Sequence, residues 1–194
     1  GFNAAQMAVG LGADVTILDR DPDVLDGLAR HFGASARTEY STRTALQNLL
    51  PTADLVVGAV LIPGAAAPKL VTREDLQSMQ PGSVLVDVAI DQGGCFETSH
   101  ATTHDDPTYV VDEVVHYCVA NMPGGVAKTS TYALNNTTLP HLKRIAGLGA
   151  RKALETDQHL RAGLNVAMGQ ITCKPVAEAH GLEFVPPENI IENI

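Results

Sequence analysis

The residue best placed to do chemistry is Asp91, because of what surrounds it in GSVLVDVAIDQGGC, Gly82 to Cys95. Five of the eight residues from Ser83 to Ile90 are Val, Leu or Ile, which predicts a strand buried on both faces, as a parallel-sheet core requires. Asp91 then falls at the strand's carboxyl end, the edge where open α/β sheets bind ligands, so its carboxylate can meet a substrate or cofactor. Gly93 and Gly94 let the chain turn and let a ligand approach the backbone. Asp also caps turns at loop starts, and on these residues alone the two readings are equally open.

A second acid, Asp19, ends the β-rich run ADVTILDR. Before it, Gly1 to Leu11 carries Ala4, Ala5, Ala8 and Leu11 at helical spacing, and Gly12 is placed to stop that helix. A helix followed by a strand that ends in an acid, about 20 residues beyond a glycine turn, is the second half of a dinucleotide-binding βαβ unit. Such a carboxylate accepts hydrogen bonds from the adenosine ribose and repels a 2′-phosphate, favouring NAD over NADP; Arg20 beside it pulls the other way. Gly1 takes the third glycine of GxGxxG. The first strand and opening glycines are expected ahead of it, so the chain reads as a fragment of a longer polypeptide with an open sheet edge. A helix and strand of an unrelated α/β protein would give the same pattern. His100 and His104 in HATTH have metal-like spacing, but without the Glu of HExxH in a Thr-rich loop they predict no metal site. Asn121 ends another apolar run, before Met122, Pro123, Gly124 and Gly125, and can line a pocket.

The elements that must hold these residues follow an alternating pattern. Asp21 caps a helix with Pro22 at its first position, running through Val24, Leu25, Leu28 and Phe32 to Gly33. Ala36 to Tyr40 is a strand, Ser41 or Thr42 opens a helix ending near Leu50, and Asp54 to Leu61 is a further buried strand. The Pro-, Gly- and Ala-rich loop IPGAAAPKLV leaves room for a flat ligand on the edge that carries Asp19 and Asp91. Thr72 with Asp75 forms a capping box, and Pro81 and Gly82 close that helix. Cys95 to Pro107 reads as a polar loop, Tyr109 to Val111 and Val114 to Ala120 as strands joined by an acidic turn. From Ala127 the rhythm changes. A helix over 127–138, a second after Pro140, a short helical stretch through Ala153 and Leu160, a hairpin about Gly169, a last helix stopped by Gly181 and an extended tail are expected. Residues 1–126 thus form one domain and 127–194 a helical part of another.

With 45% hydrophobic residues and no apolar run near the roughly 18 to 20 a membrane helix needs, the composition is that of a soluble globular chain. The formal charge of -9 argues against nucleic acid and against anionic membrane surfaces as partners. Three scattered cysteines, Cys95, Cys118 and Cys173, suggest reduced thiols in the cytoplasm.

Together, ADVTILDR, ADLVVGAVLIPGAAAPKLVT, MQPGSVLVDVAIDQGGCFETS, TTHDDPTYVVDEVVHYCVANMPGGV and VAEAHGL resemble the NAD-dependent alanine dehydrogenases, which share a family with the proton-translocating transhydrogenases. VDVAIDQGG followed by HYCVANMPG favours the dehydrogenase branch. The resemblance implies a Rossmann-type doubly wound parallel sheet, lacking its first strand here, followed by a mainly helical segment of the substrate domain. It also implies reversible oxidative deamination of L-alanine to pyruvate and ammonia, with the histidine, lysine and arginine partners in an N-terminal part and none of the histidines here replacing that histidine. The acid matching Asp91 is catalytic in that family. For NAD, the matching positions imply Gly1 at the phosphate turn, Asp19 on the ribose and Ser41 near the adenine. Val60 and Leu61 flank the adenosine, while Val88, Ala89, Ile90 and Asp91 with Val119, Ala120, Asn121 and Met122 line the nicotinamide side. Val24 and His100 stand where relatives often carry a basic residue. A cytoplasmic homohexamer is implied for the full-length protein. The alternatives are the nucleotide-binding part of an NAD(P) transhydrogenase alpha subunit, or a non-catalytic NAD-binding module.

Overall fold

A computed structural model describes residues 1–62 and 67–194. Its packing divides into two compact units, one holding Gly1–Leu61 and 67–122, the other Pro123–Ile194.

The first unit begins with α1 (Phe2–Gly10), which leads to β1 (Val15–Asp19). Asp21 then caps α2 (Pro22–Phe32) by accepting from the Asp23 N–H at 2.9 Å, with Pro22 supplying a preset φ at the first position. The chain returns through β2 (Ala36–Tyr40), which pairs in parallel with β1, and Thr42 caps α3 (Arg43–Leu49). Ala5, Phe32 and Ala36 form the small core between these helices and strands.

Next come β3 (Leu55–Gly58), α4 (Arg73–Leu76), β4 (Val84–Asp87), β5 (Thr108–Val111) and β6 (Val114–Tyr117). The sheet order is β3-β4-β6-β5, parallel except for the β5/β6 hairpin at one edge, whose turn places Asp112 and Glu113 at positive φ. Thr72 opens α4 as the capping pattern predicts: its N–H and hydroxyl both donate to Asp75 Oδ2, at 2.7 and 2.8 Å. Leu50, Leu76, Leu85, Phe96 and Val114 anchor the core under this sheet, each side chain contributing about 1.5–3 kcal/mol on burial.

Several expectations change here: the strand read over Val114–Ala120 ends at Tyr117, and the helix opened by Thr72 ends at Leu76, before Pro81 and Gly82. The strand predicted over Ser83–Ile90 ends at Asp87, and Val88–Gln92 is a 3-10 turn. Asp87 causes this by accepting the Ala89 N–H at 3.1 Å, a side-chain cap that outcompetes further sheet pairing. The strand predicted over Asp54–Leu61 is shorter and not buried throughout: Leu55 and Val57 are exposed, because β3 has a sheet neighbour on one side only and β1 and β3 are not bonded to each other. Cys95 and Phe96, read as the start of a polar loop, are fully buried. They lie across Gly58, where a Cβ would sit 2.2 Å from Cys95 Sγ, so the strand and the loop meet only because position 58 has no side chain.

In the second unit, α5 (Ala127–Leu148) is one continuous helix. The two helices expected on either side of Pro140 are joined, because no residue of α5 is buried and the carbonyl that the proline leaves unpaired can be hydrated. Then follow α6 (Ala150–Thr156), α7 (Gln158–Ala162), the hairpin β7 (Val166–Ala167) and β8 (Gln170–Ile171), and α8 (Lys174–His180). Asp157 links two of these helices, accepting the His159 and Leu160 N–H groups and pairing with Arg144 of α5. The Leu160 N–H, outweighing desolvation and aided by Arg144, holds its carboxyl below the usual range. The tail is not extended: Pro187–Asn189 and Ile191–Asn193 are 3-10 turns that bury Ile190 and Ile191.

Candidate functional site

Parallel strands end on one side of their sheet, and in the first unit the residues singled out from sequence lie at or just beyond those ends. Asp19 is the last residue of β1; Ser41 follows β2, its N–H donating to the Asp19 carbonyl at 2.8 Å. Val60 and Leu61 follow β3, Val88, Ala89, Ile90 and Asp91 follow β4, and Val119, Ala120, Asn121 and Met122 follow β6. Gly1 caps α1, and a Cβ built on it would lie 3.7 Å from Ala59 Cβ, just past the end of β3. The start of α1 therefore lies beside the end of β3.

A cleft of about 360 Å³ lies just beyond the ends of β1 and β2, lined by Arg20, Ser41, Thr42, Arg43, Lys69 and Thr72 among others; of the residues singled out from sequence it takes in Ser41. Lys69 Nζ donates onward to the carbonyls of Gly93 and Gly94, at 2.6 and 2.8 Å, two and three residues after Asp91. Arg20, next to Asp19, and Lys69, bonded to the turn that carries Asp91, thus line one cleft. The Asp19 carboxylate accepts the Asp21 N–H through Oδ1 at 2.9 Å. Of the loop predicted to lie on this edge, residues 63–66 fall outside the described residues.

Asp91 itself is exposed. Its Oδ1 accepts the Asn121 N–H at 3.2 Å, and the Asn121 carbonyl is held by His104 Nε2 at 3.1 Å. Asn121 adopts φ 53°, a left-handed conformation that Asn tolerates better than most residues. The β4 turn and the β6 loop are thereby drawn together at the point where Asp91 faces out. Leu61 and Val88 are exposed on the same rim, 69% and 46%, apolar side chains that a flat ring can cover. Among the described residues no group of three or more His, Cys, Asp or Glu side chains is arranged to hold a metal.

Below Asp91 lies a polar cluster that sequence reasoning missed. Asp87 is fully buried and accepts from the Ala89, Cys95 and Phe96 N–H groups and from Ser99 Oγ at 2.5 Å. Burial pushes the Cys95 thiol up to about 12, with the Asp87 charge adding to it, so this sulfur stays protonated and can donate to Asp87 Oδ1 at 3.5 Å. Next to it, His100, Tyr109 and His116 stack, with ring centroids 3.7 and 4.9 Å apart. His116 is fully buried between Thr98 Oγ1, 2.7 Å from Nε2, and the Val114 carbonyl, 3.0 Å from Nδ1. Burial holds it below the ordinary imidazole value, with the nearby His100 adding to the shift, so it is neutral at pH 7. The Tyr109 hydroxyl is raised by burial and by the Cys118 thiol. The only sequence signal for this cluster was a charged residue inside an apolar run, which by itself does not distinguish a strand interior from a strand end.

Comparison with known proteins bears on what this rim is. The family model described as alanine dehydrogenase/PNT, C-terminal domain, matches residues 1–174. The alanine dehydrogenase of Halomonas elongata is 59% identical over 191 residues, covering 98% of this chain and 52% of the relative; that of Bacillus subtilis is 54% identical over 194 residues, covering 100% and 51%. The chain spans about half the length of the curated relatives it matches. A solved L-alanine dehydrogenase superposes with a TM-score of 0.82 at 48% identity, covering 93% of this chain and 50% of that one. A transhydrogenase from Sinorhizobium meliloti gives 0.60 at 32% identity, covering 68% and 37%. The parallel sheet flanked by helices, with ligand-type residues at its strand ends, is a Rossmann-type arrangement, and the chain belongs to the alanine dehydrogenase/PNT family.

Proposed function

We infer that this chain is the nucleotide-binding and C-terminal portion of an NAD-dependent L-alanine dehydrogenase, catalysing reversible oxidative deamination of L-alanine to pyruvate and ammonia. What supports the reading is the exposed Asp91 carboxylate in the turn after β4, bonded to the Asn121 N–H after β6, in a chain of this family. The rim suits a dinucleotide. Asp19 accepts from the ribose hydroxyls, Ser41 lies by the adenine, Gly1 opens the helix at the pyrophosphate, and Val60 and Leu61 cover the adenosine. Val88, Ala89 and Ile90 with Val119, Ala120, Asn121 and Met122 line the nicotinamide side. When bound, the cofactor supplies a hydride acceptor.

The work of this chain's own residues is to orient and to compensate charge. As the α-hydride leaves L-alanine, the substrate nitrogen becomes a cationic iminium, and a fixed carboxylate at Asp91 stabilises that charge more than the ground state, lowering the barrier. The same carboxylate orients the water that adds to the iminium carbon, whose collapse releases ammonia and leaves pyruvate. The proton-handling histidine and the cations that grip the substrate carboxylate belong to the remainder of the polypeptide. In this reading residues 1–126 are the nucleotide domain, 127–194 contribute to the substrate domain, and the enzyme is a cytoplasmic homohexamer.

The test is alanine-dependent NAD reduction by the complete polypeptide that carries this chain. Wild type is expected to turn over and Asp91→Asn to lose activity by about 10²-fold or more, the scale of removing a transition-state charge partner. Equal rates in the two proteins would refute the assignment.

A further inference from the structure

A buried carboxylate is tolerated only when donors surround it, and the donors of Asp87 all come from one short stretch. Ala89, Cys95 and Phe96 give backbone N–H groups, Ser99 its hydroxyl and Cys95 its thiol. Together these residues bracket Asp91. The arrangement is an anion nest whose anion is the protein's own side chain. Gly94 belongs to it: at φ 73°, a Cβ there would fall 2.6 Å from Asp87 Oδ2 and 2.8 Å from Ser99 Cβ, so only glycine lets the turn close over the carboxylate. From the other side, Lys69 Nζ grips the Gly93 and Gly94 carbonyls, and the Ala67 and Leu70 N–H groups donate to the Gln92 and Cys95 carbonyls.

We propose that Asp87 and Lys69 are positioning residues that clamp the Val88–Cys95 turn from below and above, and so fix where the Asp91 carboxylate stands. Neither reaches the rim as a reacting group: Asp87 is fully buried and Lys69 spends its ammonium on two carbonyls. The proposal rests on the role given to Asp91 above. It explains why the strand stops four residues short of that acid. A carboxylate on a free glycine loop would sample many positions, whereas one clamped on both sides is held for a reaction in which a shift of about 1 Å costs on the order of 10²-fold.

The experiment uses the complete polypeptide and four variants: Lys69→Met, Lys69→Arg, Ser99→Ala and Asp87→Asn. Three readouts are taken: alanine-dependent kcat and KM, the thermal midpoint, and amide hydrogen exchange across residues 88–96. Lys69→Met and Ser99→Ala are expected to lower kcat about tenfold or more while KM for alanine moves less than about threefold and the midpoint stays within a few degrees. Exchange at Cys95 and Phe96 should rise in both, and Lys69→Arg should recover most of the lost rate. Asp87→Asn should give the largest loss and a lower midpoint as well. Wild-type kcat in Lys69→Met and Ser99→Ala, no recovery in Lys69→Arg, or unchanged exchange at 88–96 would each overturn the clamp. A wild type inert toward alanine would instead refute the function proposed above, and the clamp is then decided by the exchange arm, which needs no turnover.

Discussion

Asp19 and Arg20 sit side by side at the end of β1 with opposite preferences for a 2′-phosphate, and the surroundings decide the balance. Arg20 lines the cleft beside Ser41 and Thr42, so on the proposed reading a 2′-phosphate there would find one cation and two hydroxyls, with the Asp19 carboxylate opposing it. Asp19→Ser in the complete polypeptide should therefore raise NADP turnover relative to NAD by about tenfold or more, the effect of removing one close charge repulsion. Steady-state rates with each cofactor give the ratio, and an unchanged ratio would place the ribose elsewhere. Gly58 makes a different residue-scale prediction. Its Cβ would meet Cys95 Sγ at 2.2 Å and Phe96 Cζ at 2.7 Å, both immobile in the core, so Gly58→Ala should destabilise by about 1–3 kcal/mol or more in urea unfolding. The strand-end position of Asp19 was legible in the sequence because it is an acid that closes a β-type run just before a turn. Gly58 and Asp87 were not, since their importance comes from partners far along the chain that local pattern does not reveal.

Elements were legible wherever a cap or a period marked both ends. The α2 helix, with Asp21 and Pro22 at its start and Gly33 after it, and β2 over Ala36–Tyr40 have the limits read from the chain. Errors arose where a local rule met an uncommon tolerance. Apolar composition extended β4 through Ile90, yet a side-chain cap stopped it at Asp87. Pro140 was read as a helix boundary, yet α5 passes through it with Thr137 and Thr138 hydroxyls donating back to Ala133 and Leu134 carbonyls just before it. A proline inside an exposed helix removes a hydrogen bond without strengthening any packing. Pro140→Ala should thus stabilise the second unit, by about 1–3 kcal/mol, seen as a higher thermal midpoint or more urea needed to unfold it. A lower midpoint would mean that the proline stiffens the unfolded chain more than it weakens α5.

At the scale of the whole molecule, a chain with net charge -9 loses stability in acid through specific groups rather than through charge balance alone. Of the acid-titrating groups in the first unit, Asp75 and His116 are held away from their ordinary values. Burial alone would raise the Asp75 carboxyl, but the Thr72 N–H, Arg43 and the Thr72 hydroxyl outweigh it and hold it below its ordinary value. That stability is present above the unfolded-state value of about 3.9 and is lost as pH falls through the lower folded value. His116 acts earlier. Its folded value is depressed mainly by burial, with His100 adding to the shift, while the Val114 carbonyl and the Asp112 and Asp87 charges oppose it. The unfolded chain therefore takes up a proton from about pH 6.5 downward while the folded one does not, and stability declines over that window toward the folded value. The thermal midpoint should fall as pH drops from about 7.5 to 5, ahead of the carboxylate-driven collapse. His116→Gln keeps an acceptor for the Thr98 hydroxyl but cannot be protonated, so it should flatten the upper part of that decline while leaving the steeper loss near pH 4 in place. If the two proteins lose stability in parallel across pH 7.5 to 5, the buried imidazole is not the group that takes up the proton.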